Sequence, residues 1–582
     1  MIMNTIVEFS RFAAKRYLES AVFIDDNIYT ADTGRPESSE EIILRELKPA
    51  FVEPVDSKVT GSPGPEKEPG APERRPFRIK DLIDSFALLG IVCAPYEPEP
   101  GFSTDEDSVV FKLCETADLV ILDWDFHEVG IAGTAPKKLI ASLIQSGNRV
   151  APHHIRLVAI YTNTIDLQAI SNSIYQYLET EGCKAEPVDD CALRLQSGAT
   201  RILILGKDGI RRAADQEPFT VTEAALAERL LREFADMNSG LLPSFALHGM
   251  AAIRRSSKRI LERFHGNMNG AFLLHRAFSM GSEEAFDQLP ALLAEELEAV
   301  LDDNRIKPTE ASAIATDVIS QLQFQPPRSR WYAVTGLPFP ATRSVAIEVI
   351  KQILEEGRVT PESYPEIREI TELAKGFHGI NTTLMSDLMA VVDTDRSESN
   401  QRLAALFSNR THYDESKRHL SYGTIIRKRQ PEGVKPNWIY SFCLMPVCDS
   451  LRLDQSRQYK ATSKVSFPFW KLRDDVLSDS NVPRRGLAVQ LPDKSYALLS
   501  AGGKARDMLW VDNFEVNEAT GTVVANRSED GRFLFGAEQQ TEVEWIAELK
   551  PLHSQRIAHD IAQGLSRVGL VEAEWLRLLC DR

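Results

Sequence analysis

Short runs of apolar residues, each followed by a stretch with helical spacing, recur through the first 240 residues. Four of them read Ala21-Val22-Phe23-Ile24, Leu119-Val120-Ile121-Leu122, Leu157-Val158-Ala159-Ile160-Tyr161 and Ile202-Leu203-Ile204-Leu205. A run that is apolar at every position, rather than at every second one, predicts a strand covered on both faces. Strands are expected at 21–24, 90–95, 118–123, 155–162 and 200–206. They alternate with helices at 5–19, 79–89, 107–116, 136–146 and 165–181, and with a long helix for which Thr222 is a plausible N-cap. This alternation is that of a doubly wound α/β domain with a five-stranded parallel sheet, placed at residues 1–240.

The pattern changes three more times. Residues 31–76 carry Gly61-Ser62-Pro63-Gly64-Pro65 and Glu68-Pro69-Gly70-Ala71-Pro72, a composition that buries too little apolar surface to offset ordering entropy, and a mobile insertion is expected there. From 241 to about 415 the spacing is helical, with helices expected at 245–265, 268–280, 284–302, 309–323, 341–356 and 365–375 and a break at 331–340. His248, His265 and His275 lie in this region without metal-like spacing, and packing or solvent-facing roles are expected for them. From 416 to 582 the period shifts to two, predicting a mainly antiparallel β domain that ends in helices. Its expected strands are 439–443, 465–469, 487–491, 496–499, 508–511 and 522–525, with a final helix at 553–567.

A net charge of −17 argues against a nonspecific grip on nucleic acid or on an anionic membrane. No apolar run approaches the roughly 20 residues of a spanning helix, and the N-terminus lacks a secretory pattern. The seven cysteines are scattered, without a CxxC pair, so neither a disulfide framework nor a zinc ribbon is indicated. These readings together predict a cytoplasmic protein.

Candidate chemistry sits where the apolar runs stop. In a parallel sheet, side chains at the carboxyl ends of strands converge on one crevice. That crevice would gather Asp25 and Asp26, Asp123, Thr162 and Lys207. Paired carboxylates repel one another unless a cation neutralises them, and Mg²⁺ prefers hard oxygen ligands. Asp25, Asp26 and Asp123 are therefore the expected metal ligands, with the backbone carbonyl of Asp125 as a further one. Thr162 offers a hydroxyl and Lys207 a point charge to a phosphoryl group held on Asp123.

The order Asp25-Asp26, Asp123, Thr162, Lys207 resembles the receiver domain of bacterial two-component response regulators. The resemblance implies a flavodoxin-like fold, Asp123 as phospho-acceptor, Asp25 and Asp26 as Mg²⁺ ligands, Thr162 as switch hydroxyl and Lys207 as phosphate partner. It also implies a sensor histidine kinase as donor, with self-phosphorylation from a phosphodonor and slow autodephosphorylation as the only activities. Several positions depart from the family's pattern. Asp208 follows Lys207 where a proline is common, Ile204 stands in place of the aromatic switch residue, and Trp124-Asp125-Phe126-His127 replaces the common Met-Pro. Asp123-Trp124-Asp125 also resembles the Asp-x-Asp signature of haloacid-dehalogenase-type phosphatases, but there the nucleophile strand comes first and the paired acids last. A receiver-shaped scaffold that binds a kinase without being phosphorylated is the other alternative. The layout as a whole is similar to receiver-containing proteins of bacterial conflict systems, especially the phosphate-buffer component of Detocs-like antiphage two-component systems. That likeness implies a second receiver or effector protein of the same system as partner. The stretch from Trp438 to Asp449 faintly resembles the first strands of small growth-arrest ribonuclease toxins; with no catalytic constellation after it, a buried structural sheet is expected.

Overall fold

The computed structural model describes residues 3–28, 78–99, 101–126, 132–150, 155–278, 286, 288–322, 351, 354, 396–413, 417–430, 438–450, 453, 464–474, 486–501, 508–517, 521–536 and 543–565. They group into two compact units, Met1–Gln321 and Leu322–Arg582. The expected insertion at 31–76, the break at 331–340 and the helices at 341–356 and 365–375 lie outside the described residues, apart from helical Lys351 and Leu354.

In the first unit, helix α1 (Ile6–Tyr17) begins at a capping box: the Thr5 hydroxyl accepts from the Glu8 N–H, and the Glu8 side chain reaches back to the cap. This satisfies donors that the first turn leaves orphaned. The chain then runs through β1 (Ser20–Ile24), α2 (Ile79–Leu89), β2 (Val92–Tyr96), α3 (Val109–Thr116) and β3 (Leu119–Leu122). It continues through α4 (Thr134–Val150), β4 (Arg156–Thr162) and α5 (Leu167–Thr180). Gly90 closes α2 in the left-handed conformation, φ +81°, where a side chain would be strained. Strands β5 (Glu186–Val188), β6 (Cys191–Ser197), β7 (Thr200–Lys207) and β8 (Thr220–Val221) precede α6 (Glu223–Met237). Thr222 is the N-cap residue of α6, although its side chain makes no capping bond.

The sheet has the order β2-β1-β3-β4-β7-β6-β5, with β8 beside β7. The five expected strands are the parallel set β2-β1-β3-β4-β7. The sheet nevertheless has eight strands, because β5 and β6 fold back antiparallel on β7 and β8 adds a short parallel pairing. Two tight turns produce this extension. Asp189 and Asp190 both take positive φ (52° and 55°), and Gly198 does so at 57°, conformations that two-residue hairpins require. Glu233 on α6 then fastens the added strand: it is fully buried and pairs with Arg194 on β6, Arg201 on β7 and Arg229 on its own helix, at 3.1–3.2 Å.

One face of the sheet packs against α3, α4 and α5 through Phe111, Leu139, Ile140, Ile170 and Ile174. The other packs against α1, α2 and α6 through Ala13, Phe86, Leu230 and Phe234. Strand positions buried on both sides are what made the runs continuously apolar. Four more helices follow: α7 (Leu241–Arg263), α8 (Asn269–Phe278), α9 (Leu289–Asp303) and α10 (Pro308–Gln321). Helix α7 lies on α1. Leu247 joins the sheet's core, and His248 packs beside Phe9 and Phe12 with its Nε2 2.9 Å from the Asn304 carbonyl oxygen. Arg254 donates to the Tyr17 carbonyl (2.6 Å) and to the Asp118 carboxylate (3.0 Å) and stacks on the Tyr17 ring.

The second unit holds α11 (Arg396–Ser408), β9 (Lys417–His419), β10 (Thr424–Arg429), β11 (Trp438–Cys443), α12 (Val447–Ser450) and β12 (Lys464–Asp474). After these come β13 (Gly486–Gln490), β14 (Tyr496–Ser500), β15 (Met508–Glu515), β16 (Val524–Arg527), β17 (Phe533–Phe535), β18 (Val543–Glu548) and α13 (Pro551–Leu565). The described strands pair antiparallel throughout, in the order β13-β14-β12-β11-β10-β18-β17-β16-β9, with β15 also on β12. One apolar cluster holds Phe442, Trp470 and Ile557 of α13; another holds Phe467, Phe469 and Phe514. Cys443 is a packing residue here, since burial pushes its thiol up to about 12. Among the described residues, no helix is long and apolar enough to cross a membrane.

Candidate functional site

Four strands of the parallel sheet end near one another, with β4 and β7 running two and three residues past the level at which β1 and β3 stop. Ile24 lies opposite Leu122, Leu122 opposite Ile160, and Thr162 opposite Gly206. The residues that follow or end these strands are Asp25, Asp123, Thr162 and Lys207, and all four are buried. The Asp123 N–H donates to the Ile24 carbonyl at 2.9 Å, which fixes the two acidic turns side by side.

The Lys207 ammonium sits between two carboxylates. It donates to Asp25 Oδ2 at 2.7 Å and lies 3.0 Å from Asp123 Oδ1. It also stands 5.6 Å from the centre of the Tyr161 ring, whose hydroxyl donates to the Val221 carbonyl at 2.9 Å. Asp25 Oδ1 accepts from the Asn27 N–H (2.8 Å), and Asp26 Oδ1 accepts from the Asn27 side-chain amide (2.9 Å). Carboxylate oxygens of Asp25, Asp26 and Asp123 come within 4.8 Å of one another.

Burial pushes the Asp123 carboxyl up to about 6; the Asp25 charge adds to this, while Lys207 and the Asp125 N–H oppose it. For Lys207, burial works against the charge, but Asp123 and Asp25 outweigh it and hold the group above its usual value. The pocket therefore concentrates negative charge out of water and calls for a cation, which the ammonium supplies in part. Three clustered carboxylates of hard oxygen donors fit Mg²⁺.

The structure brings Asp25, Asp26, Asp123 and Lys207 together, with Asp125 and Thr162 linked to one another through Thr164. Asp125 donates its N–H to Asp123 Oδ2 at 3.0 Å, and its own Oδ2 accepts from the Thr164 hydroxyl at 3.1 Å. Its side chain is thus engaged by the loop after β4. The Thr162 hydroxyl shares a 3.1 Å hydrogen bond with Thr164 Oγ1 and accepts from the Thr164 N–H at 3.2 Å. Ile204 is buried in the core beneath α3–α5; the aromatic ring beside the lysine comes from Tyr161 instead.

Neither Arg212 nor Trp124 carries a sequence signal of the part it plays beside the pocket. The Arg212 guanidinium is buried and hydrogen-bonds the carbonyls of Thr162, Thr164 and Lys207 at 2.8–3.2 Å. Its neighbour Arg211 is exposed, so two adjacent arginines in one polar loop differ only in the fold. Trp124 is buried next to Asp123 and rests on Gly133, where φ is +81° and any Cβ would overlap the indole.

A five-stranded parallel core of order β2-β1-β3-β4-β7, with acids ending β1 and β3 and a lysine ending β7, has the architecture of a receiver. Residues 17–212 match the family model described as "Response receiver domain", and this part of the chain is a receiver domain. No curated protein and no solved structure matches the chain.

Proposed function

We propose that this protein is an aspartate phosphoacceptor in a histidine-to-aspartate phosphorelay. The observation that carries the reading is the buried Asp123 carboxylate, held 3.0 Å from Lys207 and clustered with Asp25 and Asp26. In the reaction, an Asp123 oxygen attacks the phosphorus of a phosphohistidine on a sensor histidine kinase. The O–P bond forms as the N–P bond breaks, and the imidazole leaves. Water later cleaves the acyl phosphate, which frees the carboxylate and inorganic phosphate. Lys207 offers an ammonium to one phosphoryl oxygen, and Thr162 turns its hydroxyl from Thr164 toward another. Asp25, Asp26 and Asp123, with the backbone carbonyl of Asp125, would hold Mg²⁺, whose charge neutralises phosphoryl oxygens in such a site.

A place in an antiphage relay, where the receiver takes phosphate from the kinase and so restrains an effector, is supported by layout: a receiver domain joined to a long C-terminal part. The partners are then the kinase and a second receiver or effector protein of the same system.

The test is intact mass after incubation with Mg²⁺ and acetyl phosphate. The expected result is one adduct of about 80 Da, a single phosphoryl group, absent from Asp123→Asn. Absence of the adduct from the wild type refutes the relay and leaves the non-phosphorylated scaffold. Sustained turnover of small phosphomonoesters would instead identify a phosphatase.

A further inference from the structure

We propose that Arg212 is a positioning residue of this acceptor site: it sets the spacing between the Thr162 and Lys207 strand ends. The proposal rests on the phosphoacceptor reading above and concerns how that site is held in register. Thr162 and Lys207 sit on adjacent strands whose mutual ladder ends at the Thr162–Gly206 pairing, and Lys207 pairs onward only with Val221 of the two-residue β8. Buried carbonyls need donors. Arg212 meets them from one rigid group: Nη2 donates to the Thr162 carbonyl (3.1 Å), and Nη1 to the Lys207 carbonyl (2.8 Å). Nε and Nη2 both reach the Thr164 carbonyl at 3.2 Å, and Nη1 also reaches the Thr220 hydroxyl at 3.3 Å. A planar guanidinium fixes the distance between what it binds, whereas a lysine ammonium is a single point on a flexible stem.

Gly206 supplies the second observation. It lies between Leu205 and Lys207 in the strand, and a Cβ there would overlap the Arg212 guanidinium. The glycine makes room for the arginine; the two residues are one device. Where many receivers place a proline after the lysine, this chain has Asp208, and the guanidinium takes over the task of holding that loop. Among the described residues, no hydrogen bond of Arg212 goes to β1 or β3, the strands that Asp25 and Asp123 follow.

The test uses the full chain with Arg212→Ala, Arg212→Lys, Gly206→Ala and the double variant Gly206→Ala/Arg212→Ala. Two quantities are read: the rate of adduct formation from acetyl phosphate, and Mg²⁺ affinity by tryptophan fluorescence. Arg212→Ala is expected to slow adduct formation by about 10- to 100-fold while Mg²⁺ affinity stays within about threefold. Gly206→Ala slows it to a similar degree, and the double variant is no slower than the worse single, since both remove the same contact. Arg212→Lys, which keeps charge and bulk, recovers the rate only in part and carries the test if the alanine variant does not fold. An unchanged rate in Arg212→Ala or, failing that, in Arg212→Lys overturns the role, as does a parallel loss of rate and Mg²⁺ affinity. A wild-type chain that forms no adduct overturns the phosphoacceptor reading itself, and this role with it.

Discussion

Replacing Lys207 with methionine keeps the stem and removes the charge between Asp25 and Asp123. Their carboxylates, and that of Asp26, have oxygens within 4.8 Å of one another. At an effective dielectric of 20, two unit charges at that separation repel by about 3.5 kcal/mol. Removing one member of a buried ion pair costs about 3–5 kcal/mol by a separate line of measurement. We therefore expect Lys207→Met, in EDTA at pH 7.5, to lose about 3 kcal/mol of stability, read from the urea midpoint of the transition that reports the receiver. Magnesium is expected to restore about half of that loss. Asp25 Oδ2 and Asp123 Oδ1, freed of the ammonium, should bind Mg²⁺ at least tenfold more tightly than in the wild type, about 1.4 kcal/mol at equal metal concentration. The restored variant still forms no adduct with acetyl phosphate at the wild-type rate. A loss below about 1 kcal/mol in EDTA, or weaker Mg²⁺ binding in the variant, would refute the charge balance argued for this pocket.

Other perturbations test separate parts of the structure. Gly133→Ala forces a Cβ into the Trp124 ring at a positive φ, and a loss of about 2 kcal/mol or more in urea is expected; a neutral result would mean that the indole does not rest there. Glu233→Ala leaves Arg194, Arg201 and Arg229 without their shared carboxylate; the expected cost is about 3–5 kcal/mol, with faster amide exchange along β6 and β7. In the second unit, burial raises the Glu548 carboxyl, but His412 and Arg410 outweigh it and hold the group below its usual value. A depressed carboxylate stabilises the fold above its unfolded value of about 4.3 and loses that contribution as pH falls through the folded value. Arg410→Ala should therefore destabilise this unit at pH 7 by no more than about 1 kcal/mol, since Arg410 is largely exposed. The difference should fade at acidic pH, and an equal deficit at pH 7 and pH 3.5 would count against the linkage.

The parallel strands were legible because burial on both faces leaves no polar position within them, as in β3 and β4, where each residue is buried. Strand β6 was not. Its inward Leu193, Leu195 and Ser197 alternate with Arg194 and Gln196, and β5, next to it, is three residues long and contains a proline. What makes them strands is the pair of hairpin turns and the hold of Glu233, which is 36 residues beyond Ser197 in the chain. The gathering of Asp25, Asp123, Thr162 and Lys207 could be read in advance because each of them ends or follows a strand. Arg212 could not, since it sits in a polar loop beside Arg211 and its role comes from carbonyls on two other segments. In the second unit the strands were visible as period-two runs, but their neighbours were not: β10 pairs with β18 across more than a hundred residues.

Helix α7 is fastened at the end of the receiver opposite the acidic pocket, where Arg254 grips Asp118 and the Tyr17 carbonyl. Asp118 in turn accepts from the backbone N–H groups of Glu19 and Ser20 where β1 begins. The receiver is thus no cassette that ends with α6. Grafted onto another protein at residue 240, it would lose the cover over Phe9 and Phe12 and a charge partner at the root of its central strands. A transplant that extends to Gln321 carries its own lid.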